Sequence, residues 1–312
     1  MKRFVVIALA GVFLLSCLCV PALAESFGIV FAGGDGTEAD PYEIASKEQF
    51  IAFASGGDAQ SDSEKTTLYA QHFKLTNDID LEGLKISSIG AASSYSINVF
   101  FTGVFDGNGR TIRNIAIDNS NNYTALFIGL KSVDGTGGVI QNLNIDRITV
   151  TGASTTGSLV SDNRGGRIEN CHVTNGSVSG TGTVGGLVGK NQYNSSYLGR
   201  IILSSFSGTV DGSGSDIGGL VGYDNGFYAG TDVPTIERSY AKAEVSGGTN
   251  TGGLVGTIYK GNMADCFFIG SVAGSSKVGG LIGRVPWNNP ATIQNCYATD
   301  LTAGTGGLFG EF

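Results

Sequence analysis

Histidine is almost absent from this chain of 312 residues, which contains only His72 and His172. A transition-metal site needs clustered histidine, cysteine or carboxylate side chains, and these two histidines lie in different parts of the sequence. The acidic segments 77–80 and 211–216 lack the ligand number and the closing glutamate of an EF-hand loop. We interpret them as turns and strand ends, and the sequence therefore predicts no metal site and no cofactor.

Beyond residue 24, the chain has no apolar run long enough to span a bilayer. The first residues have the pattern of an export signal, because two cations precede the apolar run 4–20 and a small-x-small cleavage site follows at 22–24. Cleavage there predicts a mature protein that begins at Glu25 and lies outside the cell or on its surface. The alternative is a lipoprotein signal that ends at Cys17, which would then carry the lipid.

Cations are scarce, with 19 lysines and arginines against 27 acidic residues and a net charge of −8. Loss of residues 1–24 removes Lys2 and Arg3, which leaves 17 cations against 27 carboxylates and a net charge of −10. Such an acidic surface argues against nucleic acids and anionic lipids as general partners. Proline is also rare, but the glycines are periodic and 41% of the residues are apolar, so the chain is not disordered.

The pentapeptide Gly-Gly-Leu-apolar-Gly recurs through the second half of the chain. Its copies begin at Gly185, Gly218, Gly252, Gly279 and Gly306, so the steps between them are 33, 34, 27 and 27 residues. A regular period of this size indicates stacked repeats, each burying its apolar face against its neighbours. With about three short strands per repeat, the pattern predicts an all-β fold, a parallel β-helix whose coils lie ~4.8 Å apart.

A second signature, Ile-x-Asn followed by an apolar or small residue, marks another point in each coil. We assign the copies Ile112-Arg-Asn114, Ile140-Gln-Asn142, Ile168-Glu-Asn170 and Ile293-Gln-Asn295, with diverged copies at Ile202, Ile236 and Met263. The isoleucine and the residue after the asparagine cannot both face inward on a straight strand. We therefore predict a bend at the asparagine, which tolerates the left-handed conformation, and a stack of Asn114, Asn142 and Asn170 from coil to coil.

Three cysteines remain after signal cleavage, an odd number for an exported protein. They belong to the column that follows the asparagines, namely Ile115, Leu143, Cys171, Ser205, Ser239, Cys266 and Cys296. Cys266 and Cys296 would be separated by about the strand spacing of ~4.8 Å, outside the ~3.5–4.5 Å that separates Cβ atoms in a disulfide. We predict buried free thiols, with a strained bridge between these two residues as the alternative.

Residues 25–96 lack the repeat, and we predict that they cap a solenoid formed by residues 97–312. Ser46 and Gln49 form a capping box ahead of an apolar segment, which predicts one short helix over 46–54. The glycine-, serine- and aspartate-rich segment 55–67 is predicted to be a mobile loop. A bare sheet edge recruits other strands, so we expect either that the chain is a fragment of a larger surface protein or that an edge-to-edge partner covers the C-terminal edge.

Repeat length varies mainly in the loop that follows each Gly-Leu-apolar-Gly, and such insertions map to one side of a solenoid, often the binding side. These loops are 190–200, 223–235, 257–262 and 284–292. They supply the candidate ligand-binding residues Tyr193, Tyr197, Asp224, Tyr228, Tyr259 and Trp287. Aromatic faces beside amides and carboxylates suit the C–H faces and hydroxyls of sugars. The competing interpretation is that the aromatic side chains shield the ends of the core.

The Gly-Leu-apolar-Gly segments at this spacing resemble the GLUG-motif repeats of bacterial and archaeal exported proteins. The match is close from Gly186 onward and weaker at Gly157-Ser-Leu-Val-Ser161. The resemblance implies a right-handed β-helix and an adhesin-like setting on the cell surface. Some proteins of this group join the repeats to an immunoglobulin-A-cleaving zinc protease, but this chain has no His-Glu-x-x-His, so no catalytic residue carries over.

We therefore expect an exported, non-catalytic scaffold for surface recognition or adhesion, binding a glycan or a host or cell-surface protein. One alternative is a carbohydrate-active enzyme on the same fold, with Arg164, Lys190, Asp224 and Arg284 brought together by stacking. No close pair of carboxylates marks such a site, as a glycosidase would require. The other alternative is a structural spacer within a surface layer.

Overall fold

The computed structural model of the protein describes residues 27–119, 121–195, 197–226, 235–287, 291–299 and 307–311. The predicted signal peptide, residues 1–24, lies outside the described residues, as does the candidate residue Tyr228. No helix within the described ranges has the length and apolar character needed to cross a membrane.

Short strands make up most of the described chain. The first are β1 (Tyr42–Ile44), β2 (His72–Leu75), β3 (Ile79–Asp80), β4 (Ala91–Ala92), β5 (Ile97–Val99), β6 (Val104–Asp106), β7 (Thr111–Asp118), β8 (Tyr123–Thr124) and β9 (Phe127–Lys131). The middle coils contain β10 (Val139–Gln141), β11 (Asn144–Thr151), β12 (Thr155–Thr156), β13 (Val160–Arg164), β14 (Arg167–Glu169), β15 (His172–Gly180), β16 (Thr183–Gly185), β17 (Val188–Gln192), β18 (Arg200–Ile202), β19 (Ser205–Gly218) and β20 (Val221–Asn225). The last coils contain β21 (Ile236–Glu237), β22 (Tyr240–Gly252), β23 (Val255–Tyr259), β24 (Asn262–Ala264), β25 (Phe267–Ala273), β26 (Ser276–Gly279), β27 (Ile282–Arg284), β28 (Thr292–Gln294), β29 (Tyr297–Thr299) and β30 (Phe309–Glu311).

These strands stack into three long parallel sheets, which confirms the predicted parallel β-helix. The first sheet has the order β1-β2-β6-β10-β14-β18-β21-β24-β28, and the third has the order β9-β13-β17-β20-β23-β27-β30. The second sheet follows β3-β7-β11-β15-β19-β22-β25-β29, with β8, β12, β16 and β26 paired alongside. A coil passes through the first, second and third sheets in turn and then returns to the first.

The corner between the first and second sheets is the predicted asparagine bend. Asn142 and Asn170 have φ angles of 52° and 53° there, in the left-handed region. Because the chain turns at this point, Ile168 and Cys171 are both buried. Asn170 Nδ2 donates a hydrogen bond of 2.9 Å to Asn142 Oδ1, so this part of the predicted stack is confirmed.

Asn114 is not part of that stack, because the predicted register of the repeats was wrong at two places. Ile112 pairs with Ile145 in the second sheet, so Asn114 lies inside β7, and Asn142 Nδ2 bonds instead to Asp106 Oδ1. In a later coil Ile201 pairs with Ile168, which puts Ser204, not Ser205, in the cysteine column. At Asn114 the physical reason is that Ile-x-x-apolar occurs in two successive strands of one coil, so spacing alone does not distinguish them. In the later coil, two isoleucines are adjacent, Ile201 and Ile202, and the pattern fits either of them.

The Gly-Gly-Leu-apolar-Gly segment forms the corner between the second and third sheets. Leu187 and Val188 are both buried, and both backbone N–H groups donate to the carbonyl oxygen of Leu220. The chain therefore turns between two adjacent core residues. A Cβ on Gly185 would overlap the carbonyl oxygen of Val188 within this turn, which explains why glycine opens the motif.

Two short helices cover the N-terminal end of the core. Helix α1 (Lys47–Ser55) has the predicted capping box of Ser46 and Gln49, and its Phe53 packs 4.5 Å from Phe73 between ring centroids. Helix α2 (Asp62–Leu68) lies in the segment predicted to be a mobile loop, so that prediction was wrong. A second capping box, Ser61 with Glu64, starts this helix and outweighs the glycine- and serine-rich composition around it.

The N-terminal segment and the coils share their sheets. Strands β1 and β2 continue the first sheet beyond β6, and β3 pairs with β7 in the second. The three cysteines among the described residues are free, as predicted. Cys171 and Cys266 are buried, but Cys296 is only half-buried, so the prediction of burial was wrong for that residue.

Candidate functional site

The variable loops all connect a strand of the third sheet to the next strand of the first sheet, so they lie at one corner of the solenoid. They comprise residues 132–138, 165–166, 193–199, 226–235, 260–261 and 285–291, with 196, 227–234 and 288–290 outside the described residues. The stacking of parallel strands brings these loops together because successive strands of the first and third sheets pair in register.

Residues 193–195 and 197–199 fold back across the earlier coils and form a ledge with loop 132–138. Asn194 and Tyr197 exchange backbone hydrogen bonds of 2.8 and 2.9 Å, which closes the loop into a tight turn. Asn194 Nδ2 then donates to the carbonyl oxygen of Ser132 at 2.8 Å. This polar tether fixes the loop to one that lies two coils earlier.

Tyr197 rests on glycines within this ledge. A Cβ on Gly135 would lie 2.8 Å from its ring, and a Cβ on Gly165 would lie 3.0 Å from its own Cβ. Tyr193 and Tyr197 are both half-buried, so each keeps part of its surface in contact with solvent. Tyr197 therefore packs on the framework, and both tyrosines are partly exposed at this corner.

Asp224 does not reach the surface. Its side chain points into the core, in register with Asn191 and Asn163 on the preceding coils, and it is fully buried. Asn163 Nδ2 donates to Asn191 Oδ1 at 2.8 Å, and Asn191 Nδ2 donates to Asp224 Oδ1 at 2.7 Å. Thr235 Oγ1 donates to Asp224 Oδ2 at 2.7 Å, so this polar ladder holds the corner from inside.

Burial has an electrostatic consequence for Asp224. Desolvation raises the pKa of its carboxyl to about 6, although the hydrogen bonds from Asn191 and Thr235 act in the opposite direction. The sequence did not reveal this burial, because aspartate in a glycine-rich loop is usually solvated. The only available signal was the alignment of Asp224 with Asn191 in adjacent coils.

Tyr259 and Trp287 lie on the later coils of the same corner. Tyr259 ends β23, is half-buried, and pairs in register with Asn225. Trp287 follows the buried pair Val285 and Pro286 and is 88% exposed. The structure thus places four of the six candidate residues on the outside of one corner and one inside it, while Tyr228 lies outside the described ranges.

A charged cluster on the third sheet was missed by sequence reasoning. Asp162 is 1% exposed although it faces outward, because Arg164 and Gln192 bond to its carboxylate at 2.9 and 2.6 Å. Arg164 and Lys131 also lie over the ring of Phe100, at 5.1 and 5.5 Å from its centroid. These contacts join strands that are far apart in sequence, and no spacing rule predicts them.

The residues considered for an enzyme are not gathered into one place. Arg164 is bound to Asp162, and Arg284 Nε lies 3.2 Å from Glu311. Lys190 and Arg284 share an outward column with Tyr223 and Thr257 between them, whereas Asp224 points into the core. Within the described residues, no group of three or more histidine, cysteine or acidic side chains is arranged to hold a metal ion.

Comparison with known proteins shows the fold. No family model and no curated protein sequence matches the chain. A similar solved structure is the crystal structure of a protein from Bacteroides ovatus described as a "putative immunoglobulin A1 protease", at 21% identity and a TM-score of 0.60. The match covers 87% of this chain and 80% of that one, so the two share the β-solenoid architecture along most of their length.

Proposed function

We propose that the protein is an exported, non-catalytic solenoid that recognises a surface glycan along its loop corner. The observation that carries this proposal is the ledge on which Tyr197 lies, together with the exposed Trp287 on the same corner. Aromatic rings held on a rigid framework bind sugar faces with little loss of conformational freedom. The proposed contact residues are Tyr193, Tyr197, Tyr259 and Trp287, with Tyr228 as a prediction from the sequence.

The internal contacts favour recognition over catalysis. The corner's buried carboxylate, Asp224, is enclosed by Asn191 and Thr235 and has no path to a substrate on the ledge. The cations Arg164 and Arg284 are each engaged with a carboxylate on their own sheet. These contacts stabilise the coils, and the residues Asp224, Arg164 and Arg284 do not provide the pair of free acidic groups that glycoside cleavage needs.

Binding to a glycan array before and after single substitutions tests the proposal. We expect Trp287→Ala and Tyr197→Ala to fold normally and to lose roughly three- to tenfold in affinity, the contribution of one aromatic contact. Tyr95→Ala is the matched control, because Tyr95 is 92% exposed and lies in the β4–β5 turn, away from the corner. Unchanged binding in both corner variants, or an equal loss in the control, would contradict a glycan site at this corner.

Enzyme activity is the competing hypothesis. The neighbouring structure's description names a protease, so incubation with immunoglobulin A1 is one arm, and release of reducing sugar from acidic polysaccharides is the other. Product formation above that of heat-denatured protein in either arm would replace the recognition proposal. We expect neither product.

Export is part of the same proposal. Mass spectrometry of protein recovered from the producing cell should give a mature chain starting at Glu25, whereas a lipidated start at Cys17 would identify the lipoprotein route. We also propose that a partner covers the C-terminal edge of the sheets by edge-to-edge pairing, which size measurement by light scattering can test.

A further inference from the structure

A groove of about 550 Å³ crosses the outer face of the first sheet near its N-terminal end. Its floor is formed by His72, Val104, Val139 and Arg167, which occupy the same outward position on four successive strands. The groove therefore runs along the solenoid axis and crosses the strands. Its volume lies in the range of small-ligand sites.

Two anchored loops form its walls. On the cap side, the backbone N–H of His72 donates to Gly36 O at 2.9 Å and holds the loop that carries Glu38. On the corner side, the N–H of Gly138 donates to Thr102 O at 2.7 Å and holds the loop that carries Asp134. Because the backbone fixes both walls, the groove is formed before any ligand arrives.

The lining carries negative charge that nothing nearby neutralises. Glu38, Asp106 and Asp134 line the groove, and none of them makes an ion pair with a described residue. Arg167 is the one lysine or arginine among the described lining residues, and its guanidinium is bound to Glu169 at 2.9 Å. A cationic group in the groove would meet uncompensated carboxylates.

The apolar part of the lining is aliphatic. Val104 and Val139 form the middle of the floor, and Val133 stands at the rim with 65% of its surface exposed. Phe73 touches the groove but is buried in the core, so it offers no open ring for a sugar to stack on. Anionic ligands are disfavoured by the carboxylates.

We propose that this groove binds an organic cation, an ammonium or guanidinium group on an aliphatic stem, as in a lysine or arginine side chain. The cationic head lies between Glu38 and Asp134, and the stem covers Val104 and Val139. The carboxylate of Asp134 accepts bonds from Thr136 N, Thr136 Oγ1 and Gly137 N through Oδ1 alone, which leaves Oδ2 for the ligand. The groove borders the glycan ledge, because both use loop 132–138, but its contact residues Glu38 and Asp134 are not among those proposed to bind a glycan. Neither proposal depends on the other.

Calorimetric titration of the folded chain at low salt tests the groove with four probes. The first is the peptide acetyl-Val-Lys-Val-amide, and the second is the free diamine cadaverine, which keeps the lysine ammonium and stem and carries a second ammonium in place of the peptide backbone. The matched peptides with Gln or Glu in place of Lys carry no cation. We expect the Lys peptide to bind, the Gln and Glu peptides to be silent, and added salt to weaken binding. Tighter binding of the Lys peptide than of cadaverine identifies a polypeptide as the source, and the reverse order identifies a free amine.

A charge-matched pair of double variants locates the site. Glu38→Gln with Asp134→Asn removes both head contacts but keeps the oxygen that the Asp134 turn requires, and it should weaken binding by roughly tenfold. Asp211→Asn with Glu244→Gln makes the same change in net charge on exposed positions of the second sheet, and binding should be unchanged. Equal affinity in both double variants, or no binding of either cation to the parent chain, would overturn the proposal.

Discussion

At the scale of single residues, the solvent exposure and pKa of a side chain depend more on its position in a stacked column than on its residue type. Asp224 and Asp211 are both aspartates in strands of the same coil stack, yet Asp224 is fully buried and Asp211 is exposed. Burial raises the pKa of the Asp224 carboxyl to about 6, because the charged form loses its hydration. The corner is therefore held by a carboxyl that costs stability when it ionises.

Replacing Asp224 with asparagine should remove that cost. The new amide can accept from Asn191 through its oxygen and donate to Thr235 Oγ1, whose own hydrogen can go to the carbonyl oxygen of Asn262, 3.0 Å away. Since the folded pKa exceeds the unfolded value of 3.8, the folded state holds the proton more tightly. The wild-type free energy of unfolding should thus fall between about pH 4 and pH 6 and stay low above that.

Chemical denaturation at several pH values measures this effect. The free energy of unfolding of Asp224→Asn should exceed that of the wild type by an amount that grows from about pH 4 to about pH 6. The difference should reach roughly 3 kcal/mol at pH 7. Asp211→Asn, which keeps an oxygen for the bond from Ser246, is the control and should show no such gain. Parallel pH profiles of wild type and Asp224→Asn would mean that the buried carboxyl is solvated or paired in solution.

At the scale of elements, the glycine corner sets the size of each coil. The first glycine of the motif recurs as Gly157, Gly185, Gly218, Gly252 and Gly279, and at each one a Cβ would overlap a carbonyl oxygen of the same turn. The second position is less strict, because Ser158 occupies it and bonds to the carbonyl oxygen of Gly186. At the first position, glycine is required by atoms of the same turn. At the second position, the requirement for glycine depends on the distance to the neighbouring coil.

Substitution at the first glycine should therefore be costly. Gly218→Ala forces a methyl group into the turn and should lower the free energy of unfolding by roughly 3 kcal/mol. Gly109→Ala is the comparison, because no atom lies within 4 Å of the position that a Cβ would take there and only its positive φ of 71° is unfavourable. Its cost should be about 1 kcal/mol, the penalty for placing a residue with a Cβ at a positive φ. Equal midpoints in denaturant for the two variants would contradict a steric role for the motif glycine.

At the scale of the whole molecule, stability should differ from one end of the stack to the other. In a solenoid each coil contacts only its neighbours, so local opening depends on the coil's own burial. Cys171 lies deep in the stack, and burial raises the pKa of its thiol to about 12. Cys296 is half-buried among half-buried core residues of the last described coils, and a hydrogen bond from the Cys266 thiol lowers its pKa.

Alkylation of the native protein with iodoacetamide should follow this gradient. Cys296 should react first, and Cys171 at least about tenfold more slowly, because its reaction requires opening of several coils. Peptide mapping by mass spectrometry over time gives the three rates, with labelling in denaturant as the control for intrinsic reactivity. Equal native rates, or a disulfide between Cys266 and Cys296, would show that the coils are arranged differently there.

The sequence alone determined the architecture, because the period of the glycine motif and the alternation within each repeat are repeated many times. The helix at Ser46 and the bend at Asn142 and Asn170 were also predictable, since each depends on neighbours within four residues. The sequence did not determine the register of Asn114, because similar Ile-x-x-apolar segments occur in two strands of one coil.

Only the tertiary structure decided which polar groups reach solvent. Asp224 and Trp287 both belong to segments that were predicted to be variable loops, yet one lies in β20 enclosed by Asn191 and Thr235 and the other is exposed. The groove between Glu38 and Asp134 joins segments almost a hundred residues apart, which meet because their strands stack in the first sheet. The burial and charge balance of a side chain depend on its contacts with all neighbouring coils, and the order of residues along the chain does not show those contacts.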